Sequence, residues 1–125
     1  MKNPFDDADI VFKYTRKQAL DDGVLVDVSE VAREAGIKFP VAVTQGVFGI
    51  LNETSSPGQS FQGRLWDLLM IFRMSISASK SDEVHFSGYF VMPGSEKAKP
   101  VSMWAKCGPG DDGEPVITVM LEGED

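Results

Sequence analysis

One cysteine, Cys107, and one histidine, His85, are all this chain has of the two side chains most used in nucleophilic and metal chemistry. A single cysteine excludes an intramolecular disulfide, so no residue asks for an oxidising compartment. One His with one Cys cannot complete a zinc site of the usual kinds, and any Ser-His-Asp or Cys-His arrangement has to use His85. The start, Met1-Lys2-Asn3-Pro4-Phe5-Asp6-Asp7, holds no apolar signal core. The longest apolar run, Leu68 to Phe72, is far short of the ~20 residues that span a bilayer. These absences point to a cytoplasmic protein with no membrane partner and no cofactor.

Basic residues are scarce in a patterned way. The formal net charge is −7. Residues 108–125 hold Asp111, Asp112, Glu114, Glu122, Glu124 and Asp125 without a Lys or Arg, and residues 18–32 hold Asp21, Asp22, Asp27 and Glu30, again without one. Binding a phosphate backbone needs clustered Lys and Arg, so direct nucleic-acid binding is not expected. If the two segments lie side by side, they form a negative surface suited to a protein partner with a basic surface, with Asp21, Asp22, Asp27, Asp111, Asp112 and Glu114 as the candidate contacts. The bland alternative is a solvated surface and a frayed tail.

What is present is a globular composition, 42% apolar and 25% charged, in 125 residues. That size fits one domain over residues 1–125, with 1–9 as a flexible acidic lead-in. The chain is organised around Gly63 to Met74. Leu65, Leu68, Leu69, Phe72 and Ile76 recur at the spacing of one buried helix face. Trp66, Met70 and Arg73 fall on a flanking stripe, Arg64 and Asp67 on the polar edges, and the helix fades over Ser75 to Lys80.

Before it, Ile10 to Tyr14 reads as a short strand. Thr15-Arg16-Lys17-Gln18 matches a capping box, opening a helix of about two turns that stops at Gly23. Val24 to Val28 is a strand or extended segment. Ser29 is a candidate N-cap for a short helix over Glu30 to Ala35, ended by Gly36. Pro40 fits the first turn of a further helix with Val43, Val47, Phe48 and Leu51 on one face. Asn52 to Ser60 is a polar loop and a natural site of mobility.

From residue 83 the period changes to two. Val84, Phe86, Gly88 and Phe90 alternate with His85, Ser87, Tyr89 and Val91. Pro93 to Pro100 is a hairpin loop, Val101 to Cys107 alternates again, Gly108 to Pro115 is a turn, and Val116 to Leu121 is apolar on both faces, as an inner strand would be. The fold class is α+β: a C-terminal three-stranded antiparallel meander packed by the central helix, with short N-terminal helices and one or two extra short strands.

Local chemistry motifs are thin. Asp111-Asp112-Gly113-Glu114 lacks the ligand spacing of a calcium loop, and Asp-Gly is a turn dipeptide. Gly108-Pro109-Gly110 is followed by no Lys-Ser/Thr and no helix, so it is not a phosphate loop. Asp21, Asp22 and Asp27 have no His or Lys partner nearby for acid–base work.

Two blocks are more specific. One runs from Tyr14 to Ser29 and on through Ala32-Arg33-Glu34-Ala35-Gly36 to Pro40-Val41-Ala42-Val43-Thr44. The other is Gly108 to Leu121, ending Glu124-Asp125. With Gly63-Arg64-Leu65-Trp66-Asp67-Leu68-Leu69 between them, the chain resembles a family of small proteins of unknown function carried by bacterial plasmids and phages. The resemblance implies a mobile-element setting and transfers no site residues. Three functions follow as expectations. The first is a non-catalytic acidic interaction protein of a mobile element, in its sharp form an anti-defence inhibitor of the anti-CRISPR or DNA-mimic kind. The second is a small enzyme using His85 with Cys107 or an aspartate. The third is a structural or regulatory homodimer, pairing through an edge strand or through Trp104 and Tyr89.

Overall fold

In the computed structural model the described residues are 14–53, 60–78, 81–92, 94–95 and 97–124. The strand expected over Ile10 to Tyr14 lies outside them except for Tyr14, which is in no strand; the lead-in and most of the Asn52–Ser60 loop also lie outside.

The described chain is α+β. Its helices are α1 (Arg16–Asp21), α2 (Ser29–Glu34), α3 (Gln45–Leu51) and α4 (Phe61–Ala78). Its strands are β1 (Leu25–Asp27), β2 (Val41–Thr44), β3 (Glu83–Val91), β4 (Ala98–Pro109) and β5 (Pro115–Leu121). One five-stranded sheet has the order β1-β2-β5-β4-β3. The antiparallel run β3-β4-β5 is there, but it is one part of a mixed sheet: β2 pairs in parallel with β5, Val43 beside Val119, and antiparallel with β1. This explains the double-sided apolarity of β5, which is central, flanked by β2 and β4.

Alternation along the strands separates two faces. Val84, Phe86, Phe90, Met103, Ala105, Ile117, Val119, Val41 and Val43 join Leu65, Leu68, Leu69 and Phe72 of α4 in the main core. The Phe72 and Phe86 rings meet 5.9 Å apart. Ala32 of α2 and Val47 and Leu51 of α3 complete this side. Ala42, Val116 and Met120 point the other way and are also buried. Here α1 packs, with Ala19 buried and Arg16 reaching the backbone of β5.

Three local expectations change. Residues 41–44 form a strand, and the following helix starts at Gln45 with Thr44 as its N-cap. A run of Val-Ala-Val-Thr suits either state, and pairing on both sides decides it. Ser29 is not a cap but the first residue of α2; its hydroxyl donates to Asp27 and accepts from the Val41 amide at 3.0 Å, joining β1 to β2. Arg64 is not a polar edge. It is 3% exposed and donates to the carbonyls of Ile50 and Val91, with its guanidinium 5.5 Å from the Phe90 ring.

Candidate functional site

The acidic segments meet around Arg16. The capping box read from the sequence is formed: the Thr15 hydroxyl accepts from the Gln18 amide at 3.0 Å, and the Gln18 side chain accepts from the Thr15 amide at 2.9 Å. Asp111 then reaches across from the β4–β5 turn. Its two carboxylate oxygens accept from the backbone amides of Arg16 and Lys17, each at 2.9 Å. An anion at this end of a helix meets both unsatisfied donors and the positive end of the helix dipole. The Arg16 side chain turns back onto the sheet and donates to Thr118 Oγ1 at 2.6 Å and the Ile117 carbonyl at 2.8 Å. Desolvation pulls the guanidinium below the usual arginine range, partly offset by Asp27, Asp111 and Glu114. It stays charged at physiological pH.

The six acidic candidates therefore have different settings. Asp21, Asp111, Asp112 and Glu114 line one shallow depression of about 370 Å3 together with Leu20, Pro40 and Val116. Arg16 and Lys17 share the rim. Asp22 and Asp27 are not part of it: Asp22 accepts from the Tyr14 hydroxyl at 2.6 Å, and Asp27 accepts from Ser29. That hydrogen bond to Asp22 is the largest cause of a raised Tyr14 hydroxyl pKa. Asp111 is occupied by the α1 amides, so its first role is structural. Contrary to the expectation that it lacks a Lys partner, Asp21 forms an exposed pair with Lys17, one helical turn away, at 3.0 Å, which contributes little to stability. Asp112 and Glu114 are exposed on the turn, whose tight path runs through Gly113 at φ +83°.

The Cys107–His85 pairing does not form. His85 is paired across from Trp104 and Lys106 from Glu83, which puts these side chains on the α1 side of the sheet. Cys107, one residue on, packs against the main core on the opposite side. Burial is the larger cause, and Asp82 the smaller, of a raised thiol pKa. That lowers the thiolate fraction a nucleophile needs. His85 instead stacks on Trp104, 5.9 Å between centroids and 12° between planes, and its Nδ1 lies 3.2 Å from Glu122. No aspartate stands with it among the hydrogen bonds of the described residues. Among the described residues no group of three His, Cys, Asp or Glu side chains is arranged to hold a metal ion, and no helix is long and apolar enough to cross a membrane.

The C-terminal residues are anchored up to Glu124. Its carboxylate accepts from Thr44 Oγ1 at 2.8 Å and the Leu121 amide at 2.7 Å, and its carbonyl accepts from the Trp104 indole at 2.9 Å. Trp104 is therefore half-buried and engaged, whereas Tyr89 is 60% exposed. Sequence reasoning missed Glu124 as an anchor and Arg16 as a hub. For Arg16 the sequence offered no more than its place in the first turn of a capped helix, because the Thr118 and Ile117 groups it meets lie on β5, far along the chain.

A model of one family, described as a family of unknown function (DUF6573), matches residues 1–125. No curated protein and no solved structure matches the chain.

Proposed function

Because that match spans the whole chain, the protein belongs to this family of unknown function, and from there we propose that it is a non-catalytic interaction module whose acidic depression receives basic side chains of a protein partner. One observation carries the reading. Two segments without Lys or Arg, far apart in sequence, bring Asp21, Asp111, Asp112 and Glu114 to the lining of a single depression. Leu20, Pro40 and Val116 beside four carboxylates suit a long Lys or Arg side chain, which lays its stem on apolar surface and keeps its head at the acids, even with Arg16 and Lys17 in the same lining. The net charge of −7 adds long-range steering toward a basic surface. In its sharper form the partner is a nucleic-acid-binding defence complex, and the protein competes with phosphate in a Lys/Arg channel on behalf of a plasmid or phage.

The test is affinity capture from bacterial lysate with the full chain and with an Asp21→Lys/Asp112→Lys/Glu114→Lys variant. Asp111 is left intact because it holds α1. The reading expects a protein that is retained at low salt, released by high salt or by added DNA, and lost with the variant. A partner held equally by both proteins, or one insensitive to salt, would contradict it. A salt-sensitive partner that DNA does not displace would retain the basic surface and remove the sharper form.

A further inference from the structure

Two concavities of about 480 and about 500 Å3 open on the α1 side of the sheet and share Lys106 and Thr118. They are halves of one trough. In the first half the walls carry Arg16, Tyr14, Asp111 and the chain at Gly108 and Gly110. In the second half the walls are mostly apolar, with Val24, Leu25 and Met120, and Thr44, Gln45 and Glu124 complete them. So a polar, cationic end runs into an apolar end, and Lys106 stands at the junction.

Two carboxylates share the trough and both are already engaged: Asp111 accepts from the Arg16 and Lys17 amides, and Glu124 from Thr44 Oγ1 and the Leu121 amide. Glu83 is paired opposite Lys106 on the neighbouring strand, yet the two form no ion pair, and among the described residues the Lys106 ammonium has no hydrogen-bond partner. Arg16 engages Thr118 and Ile117 and retains further N–H groups. The volumes fall in the range of small-molecule sites, roughly 300–1,000 Å3. A cationic ligand would meet Arg16 and Lys106, while the carboxylates near them, Asp111 and Glu124, are already taken up by amides and the Thr44 hydroxyl. A wholly apolar one would cover Lys106 without giving it a partner. A polyanion would meet the field of a chain carrying −7.

We propose that this trough binds a small amphipathic anion, with a single acidic head between Arg16 and Lys106 and an apolar body against Val24, Leu25 and Met120. Lys106 is outside the acidic depression, so this site and the partner surface can fail separately.

The probe is anilinonaphthalene sulfonate, a monoanion with a flat apolar body, titrated into the native full chain and followed by fluorescence and by amide NMR. The expected result is saturable binding with amide shifts at Leu25, Lys106, Thr118 and Met120. Lys106→Met, which keeps the stem and removes the charge, weakens binding at least about tenfold. Lys97→Met, an exposed control elsewhere, leaves it unchanged, and N-phenylnaphthylamine, which lacks the sulfonate, binds at least about tenfold more weakly. Absence of saturation up to about 1 mM overturns the proposal. So does equal binding by the Lys106 variant with its circular dichroism intact, or a map of shifts centred on the exposed apolar Trp66 and Met74 of α4.

Discussion

Arg64 shows how a single residue can hold an element junction. It is in the first turns of the central helix, where a charged side chain is expected to face water. Instead its guanidinium joins the end of α3, through Ile50, to the end of β3, through Val91, and lies against Phe90. Removing it leaves two carbonyls without this donor and opens space beside a buried ring. We expect Arg64→Ala to lower unfolding stability by about 2–4 kcal/mol. Arg64→Lys, a point charge without the planar fork, should recover only part of that loss. Urea denaturation of the three proteins checks both. Arg64→Ala with wild-type stability would show that the fork is dispensable. Sequence periodicity could not reveal this, because a buried arginine is defined by acceptors from segments distant in the chain.

At the scale of elements, the short helix α1 has six residues, too few to be stable alone in water. It is fixed by a capping box that is local and by Asp111, which is not. The local half was legible in Thr15 and Gln18. The distant half could not be read, since Asp111 looks like an ordinary turn residue until the β4–β5 hairpin is placed beside Arg16. The same division runs through the fold. The helix over Gly63–Met74 and the alternation of β3, β4 and β5 were legible as periods. The insertion of β2 between β1 and β5 was not, because four residues carry no decisive period and pairing partners lie in other parts of the chain. Asp111→Ala tests the coupling. It should destabilise the protein by about 1–2 kcal/mol and speed hydrogen exchange at the Ala19 and Asp22 amides, which donate within α1 to Thr15 and Gln18. Exchange in the β4–β5 ladder should change less than in α1. Unchanged exchange in α1 would show that the capping box suffices.

For the molecule as a whole, one sheet presents two contrasting surfaces. Among the described residues, one face is sealed by α2, α3 and α4, and the other carries α1 and the trough around Lys106. The acidic depression sits where α1 meets the β4–β5 turn, and Arg16 lies between the two, lining both the polar end of the trough and the depression. Composition made an acidic surface legible. It did not separate carboxylates that build structure, such as Asp111 and Glu124, from those left facing solvent, such as Asp112, because that depends on which amide or hydroxyl each one meets. The most direct measurement is an amide NMR titration of the full chain with a short oligolysine peptide. The account predicts shifts concentrated at Leu20, Asp21, Asp112 and Glu114 that disappear at high salt. Shifts of equal size at Glu30, Glu34 and Asp82, acids outside the depression, would contradict it.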